Sequence, residues 1–158
     1  MVEIKRILYP IDFSECSYKV LPYVLSMAEK YGAKVYLLYV ARDLHYFAGL
    51  HVPHTSIAGF TKELLDASQK MMNQVCEEHL QRCPNFERKV LSGDAGEEIV
   101  RMAEREDIDL IVMGTHGRKG LDRTLFGSVA AFVVKHATVP VLTVNPYRVV
   151  QKRKEKAA

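Results

Sequence analysis

The spacing of apolar residues predicts an α/β domain, an open five-stranded parallel sheet with helices on both faces. Two observations carry this. Short apolar runs rich in β-branched residues alternate with longer stretches of helical period. A strand, a helix and a second strand in succession then imply a right-handed parallel crossover. The elements read as βα βα βα βα β, and crossover physics alone leaves the order of strands within the sheet open.

Each element has its own warrant. Residues 4–11 form a nearly continuous apolar run once Lys5 and Arg6 are passed, as suits a strand covered on both faces. Pro10 removes a ladder donor near its end, Asp12 follows, and Ser14 is placed to cap a helix starting near Glu15. That helix carries Val20, Leu21, Val24, Leu25 and Ala28 on one stripe, and Gly32 closes it. Residues 34–41 are a second buried strand. From 42 to 61 no period is visible, and Gly49, Pro53, Gly59, His45, His51 and His54 read as a surface loop first and a partial lid second. A metal site there lacks a carboxylate or cysteine to complete a ligand spacing. Helical period returns from Lys62 with Leu64, Leu65, Ser68, Met71, Met72, Val75 and Leu80, a stripe of the kind that packs in cores, and ends before Pro84. Residues 86–91 set Glu87 and Lys89 among alternating neighbours and read as a short edge strand. Asp94 and Glu97 form a capping-box-like pair ahead of a helix with Ile99, Val100 and Ala103. Residues 109–113 and 139–144 are the fourth and fifth strands.

Composition narrows the function classes. The 158 residues suffice for one domain with a proper core, and 48% hydrophobic with 26% charged residues argues against disorder or a fibrous repeat. A net charge of +3 is too small to point to nucleic acid, the more so because several basic residues fall in the 148–158 tail. That tail reads as solvated first and as an interaction segment second, leaving 1–147 as the folded domain. No stretch reaches the ~18 apolar residues of a membrane span, and the first residues carry no signal core. A cytoplasmic protein without a membrane partner is expected. Cys16, Cys76 and Cys83 are odd in number and lack a Cys-x-x-Cys spacing, so reduced thiols are expected, with Cys76 packed in a helix stripe.

The chemistry is concentrated between 109 and 144. A buried strand empties into Gly114-Thr115-His116-Gly117-Arg118-Lys119-Gly120, and Gly127-Ser128 then opens an apolar helix. Glycines let the backbone approach a ligand or take a positive φ, and the N–H groups and positive dipole end of a helix favour an anion. Gly114, Gly117, Gly127, Ser128 and Val129 are therefore candidate phosphate contacts; the bland alternative is that the glycines serve only turns and a cap. The pattern is neither the P-loop, since no Gly-Lys-Ser/Thr follows a spaced glycine, nor the dinucleotide Gly-x-Gly-x-x-Gly. The spacing Gly114-x2-Gly117-x9-Gly127-Ser128, with Asp12 after the first strand, resembles the ATP-binding branch of the universal stress protein family, and the resemblance runs from Lys5 to Asn145.

That resemblance implies strand order 3-2-1-4-5 in an adenine nucleotide alpha hydrolase-like fold. Strands one and four then lie side by side at the switch point, where ligands bind outside the carboxyl ends. It implies ATP as the ligand, with Mg2+ or Mn2+ bridging the phosphates and no metal ligand assigned to the protein. Pro10, Ile11 and Asp12 would line the adenosine side, and Val40 would meet the adenine edge through its backbone. Gly114, Thr115, His116, Gly117, Arg118, Gly127, Ser128 and Val129 would hold ribose and phosphates. Asp12 serves equally as a turn residue, His116 as a turn residue facing solvent, and Arg118, Lys119 and Arg123 as a solvated basic loop.

No second carboxylate pairs with Asp12, whereas phosphoryl transfer needs placed metal ligands and a base. No catalytic residue is assigned, and a nucleotide-dependent stress or signalling module is expected. A slow ATPase or self-phosphorylating enzyme using Ser128 or His116 comes second, and a dimeric interaction protein without nucleotide third. In the implied strand order, Val141, Leu142, Thr143 and Val144 lie on an open, uncharged edge expected to pair with a second copy as a homodimer. A tail folded over that edge is the alternative.

Overall fold

The computed structural model describes residues 1–42, 54–81, 83, 85–116 and 126–147. Strands β1 (Arg6–Pro10), β2 (Lys34–Arg42), β3 (Phe86–Gly93), β4 (Leu110–Gly114) and β5 (Val141–Val144) alternate with helices α1 (Glu15–Tyr31), α2 (His54–His79), α3 (Ala95–Arg105) and α4 (Ser128–His136). The strands form one sheet in the order β3-β2-β1-β4-β5, and every pairing is parallel.

Strand alternation divides the core in two. Ile7, Tyr9, Leu37 and Val112 turn to the face where α1 and α2 supply Val20, Val24 and Met72. Leu8, Leu38, Ile111 and Met113 turn to the other, covered by Ile99 and Met102 of α3 and Val133 of α4. Cover on both faces is why β1 and β4 read as unbroken apolar runs. Burial of a side chain such as Leu8 or Ile111, both at 0% exposure, stabilises by ~1.5–3 kcal/mol.

The helix ends follow local chemistry. Ser14 caps α1 by accepting the Ser17 N–H, and Gly32 ends it in the left-handed region at φ 62. Asp94 accepts the Glu97 N–H at 3.1 Å to start α3. Only half of the expected capping box forms, because the Glu97 carboxylate binds Arg101 at 2.8 Å.

Other expectations need correction. α2 begins at His54 rather than near Lys62, so residues 54–61, read as loop, are helical. Buried Ile57 extends the apolar stripe backward, and the helix tolerates Gly59 at roughly 0.5–1 kcal/mol. His45 and His51 lie outside the described residues, as do the rest of 43–53, the side chain of His54 and the 148–158 tail. Of the methionine pair, Met72 is core at 0% exposure while Met71 is 43% exposed. β1 and β5 start later than expected, and β3 runs on to Gly93 at the sheet edge. Its charges are paired, Glu87 with Lys34 at 2.8 Å and Lys89 with Glu106. The three cysteines are free and buried, and burial pushes the Cys76 thiol up.

Candidate functional site

β1 and β4 are neighbours, and the chain leaves them for helices on opposite faces of the sheet, which opens a crevice above their carboxyl ends. A cleft of about 640 Å³ lies there, within the roughly 300–1,000 Å³ of small-molecule sites.

The first wall is the turn after β1. Ile11 donates its N–H to the Leu38 carbonyl at 2.8 Å, and the chain then reverses through Phe13, a non-glycine residue at φ 59 whose ring packs on Tyr39. Asp12 holds that turn: its Oδ1 accepts from the Ser14 N–H at 3.0 Å and from the Ser14 and Ser17 hydroxyls, while Ser17 Oγ accepts from the Asp12 N–H at 3.1 Å. The turn role foreseen for Asp12 is therefore real, and the same residue also lines the cleft. Behind it the Tyr9 hydroxyl donates to the Ser17 carbonyl at 2.7 Å. Burial first, and the Asp12 charge second, push the Tyr9 phenol above its usual range, so it stays a neutral donor.

The second wall is the end of β2. Because Leu38 turns its carbonyl to β1, strand alternation turns the N–H and C=O of Val40 to that same side, where β1 has already ended at Pro10. Val40 lines the cleft.

The third wall joins β4 to α4. Thr115 donates its N–H to the Val144 carbonyl at 3.0 Å, and its own carbonyl accepts the Gly127 N–H at 2.8 Å. A Cβ on Gly127 would stand 3.1 Å from that Thr115 oxygen; one on Gly114 would stand 3.1 Å from the His116 carbonyl and 3.3 Å from Val20. Neither glycine has a positive φ, so close approach of the protein's own backbone, not left-handed geometry, explains both. Gly127 makes no side-chain cap bond and the first turn of α4 carries no acid, in contrast with the caps that Ser14 and Asp94 give α1 and α3. The positive end of α4, with Ser128 and Val129, thus faces the cleft with no acid in its own first turn.

His116 is not a turn residue facing solvent. It is 9% exposed, its Nδ1 lies 2.8 Å from Thr115 Oγ1, its ring meets Tyr147 edge-on, and its Nε2 is buried with no hydrogen-bond partner among the described residues.

Pro10, Ile11, Asp12, Val40, Gly114, Thr115, His116, Gly127, Ser128 and Val129 all line this one cleft. Gly117 and Arg118, with Lys119 and Arg123, lie outside the described residues. Ser17, Leu38, Arg42, Ile99, Met113 and Phe126 also line it and escape sequence reasoning. A second serine one turn into the helix after Asp12 is the local signal for Ser17, and strand-end position is the signal for Leu38 and Met113; Ile99 arrives from a distant helix with no such mark. Among the described lining residues Asp12 is the sole carboxylate and Arg42 the sole arginine or lysine. Among the described residues no group of three or more His, Cys, Asp or Glu is arranged to hold a metal ion, and no helix is long and apolar enough to cross a membrane.

Residues 3–145 match the model of the universal stress protein family. The chain is 37% identical over 142 residues to the universal stress protein MJ0531 of Methanocaldococcus jannaschii, covering 89% of this chain and 82% of that one. The solved structure of MJ0577, from the same organism, superposes with a TM-score of 0.81 at 30% identity and covers 91% of this chain and 97% of that one. Two more distant structures share the fold. One is a universal stress protein in complex with cAMP, with TM-score 0.68 and 16% identity over 91% of this chain and 98% of that one. The other is the universal stress protein from Archaeoglobus fulgidus in complex with dAMP, with TM-score 0.62 and 19% identity over 92% and 100%. A match along almost the entire chain, joined to this strand order, makes the chain a member of the universal stress protein family.

Proposed function

We propose that this chain is a nucleotide-dependent stress-response or signalling module that binds ATP in the cytoplasm, with Mg2+ or Mn2+ bridging the phosphates. The observation that carries the reading is the presence, across one cleft, of two backbone features of complementary use: the Val40 peptide groups beyond the end of β1, and the start of α4, which no side chain caps among the described residues. A peptide N–H and C=O side by side match the N1 acceptor and N6 donor of adenine. Guanine offers the reverse order at that edge, an acceptor at O6 and a donor at N1, and is rejected because buried polar groups would be left unpaired. The helix start receives phosphates through the Ser128 and Val129 N–H groups and the Ser128 hydroxyl. Gly114 and Gly127 admit the close backbone approach of His116 and Thr115 beside that helix start. Gly117 and Arg118 complete the phosphate side, and Pro10, Ile11 and Asp12 the adenosine side. The same fold accommodates adenine nucleotides in two relatives, cAMP in one and dAMP in the other. Such an ion would be held mainly by the bound phosphates and water, since no described residue group is assigned to it, and would offset phosphate charge.

Binding is preferred over turnover because the one carboxylate among the described lining residues, Asp12, already serves its own turn. ATP with Mg2+ should raise thermal stability by RT ln(1 + [L]/Kd), about 2.7 kcal/mol at a hundredfold excess over Kd, and GTP should do less. Equal shifts with both nucleotides, or none with either, would sink the adenine assignment. Mass spectrometry of nucleotide released from the denatured purified protein gives an independent reading.

The partner of the module is a second copy of itself. β5 ends the sheet, Leu142 is 38% exposed, and Val141 and Thr143 are half-buried. Antiparallel pairing of Val141, Leu142, Thr143 and Val144 about a twofold axis would close this edge. Leu142→Lys, with the buried Val144 left in place, should shift the particle in light scattering from about twice the chain mass to one chain mass; an unaltered mass with intact fold would move the interface elsewhere.

A further inference from the structure

Beyond β5 the chain turns tightly, with the Tyr147 N–H donating to Asn145 Oδ1 at 3.0 Å. The turn sets Tyr147 between the start of α1 and the loop that leaves β4. Its hydroxyl accepts from Cys16 Sγ at 3.4 Å, the Lys19 ammonium stands 6.0 Å over its ring, and the ring meets the His116 imidazole edge-on with centroids 5.3 Å apart. Tyr147 does not itself line the cleft.

From Tyr147 the contacts run to the cleft without a gap. His116 Nδ1 is 2.8 Å from Thr115 Oγ1, the Thr115 carbonyl accepts the Gly127 N–H at 2.8 Å, and Gly127 is the residue from which α4 starts. His116 Nε2 is buried and has no hydrogen-bond partner among the described residues. A buried nitrogen left unpaired is costly, and water would satisfy it. What keeps the imidazole in place is the packing over it, to which the Tyr147 ring contributes. Without that ring the imidazole relaxes by turning toward water, and Thr115 and the Gly127 contact loosen with it.

We propose that Tyr147 is a positioning residue for phosphate capture: by covering His116 it holds Thr115 and Gly127, and so sets the start of α4 where it receives the phosphates. This rests on the nucleotide reading above. The effect is selective, because the adenine contacts at Val40 belong to β2 and stand outside this chain of contacts. Tyr147 therefore governs what the phosphates add to affinity, not recognition of the base.

Calorimetric titration with Mg-ATP and with adenosine separates the two. Tyr147→Leu and Tyr147→Met keep apolar bulk but lose the ring, and both are measured so that poor folding of one, seen by thermal melting, leaves the other. Each should lose about tenfold in ATP affinity while adenosine affinity stays within about twofold. Tyr147→Phe keeps the ring on His116 and should hold ATP affinity within about twofold. Equal losses for ATP and adenosine would reduce Tyr147 to a structural residue and overturn the proposal, as would unchanged ATP binding in both variants. Wild-type protein that binds neither ligand would overturn the nucleotide reading itself, a result distinct from either.

Discussion

The amino and carboxyl ends of the same two strands, β1 and β4, are built on opposite plans. At the amino end the Asp109 carboxylate accepts the backbone N–H groups of Lys5 and Arg6 at 2.8 and 2.9 Å, and the Arg6 guanidinium donates to the Glu106 carbonyl at 2.9 Å. Backbone donors there meet an acid that the protein supplies from a neighbouring strand. At the carboxyl end the acid, Asp12, folds back onto Ser14 and Ser17 of its own turn, and α4 starts across the cleft with no side-chain cap among the described residues. The same ingredients, a carboxylate and backbone donors at a terminus, are joined at one end and kept apart at the other. An end whose donors are matched from within ties strands together; an end whose helix start is left to the cleft is one that an anion can complete.

The largest effect expected from this contrast is at Gly127. Gly127→Val puts a branched side chain against the Thr115 carbonyl, where even a Cβ stands at 3.1 Å. ATP binding should vanish in calorimetry while unfolding free energy falls only moderately, by about 1–3 kcal/mol. A variant that binds ATP as the parent does would make Gly127 merely a helix-start residue and erase the difference between the two ends.

Asp109→Ala tests the other end. It strands the Lys5 and Arg6 N–H groups and should cost about 1–3 kcal/mol in urea unfolding, with ATP affinity unchanged. Impaired ATP binding in a folded Asp109 variant would show that the two ends are not independent.

The smallest effect belongs to the charge pairs of the β3 edge, away from the cleft. A hydrogen bond from Lys89 holds the Glu106 carboxyl below its ordinary 4.5, and one from Lys34 does the same for Glu87. A carboxyl depressed on folding contributes stability that is fully present above its unfolded value and lost as pH falls through the folded one. Lys89→Met should therefore lower stability slightly at neutral pH and flatten the acid-side decline below pH 4.5, read by urea titrations at several pH values. A decline as steep as the parent's would assign the acid sensitivity to other groups.

Signals that depend on a few neighbouring residues were legible without coordinates. The alternation of strands and helices, the Ser14 and Asp94 caps and the Gly32 terminator all belong to this class. Each follows from backbone sterics or from a side chain reaching its own next turn. Strand order came through family resemblance, since crossover physics alone is satisfied by more than one arrangement.

What depended on distant surfaces was decided only by the tertiary structure. α2 extends back to His54 because Ile57 finds a buried position, although its polar, glycine-bearing neighbours read as loop. Met72 is buried and adjacent Met71 is not, because only one side of α2 faces the sheet. Gly127 is needed for the approach of Thr115, and His116 is buried against Tyr147, a residue beyond the final strand. A residue's own chemistry sets what it can do at short range; whether it meets water, a carbonyl or a ring is set by segments that only the folded sheet brings together.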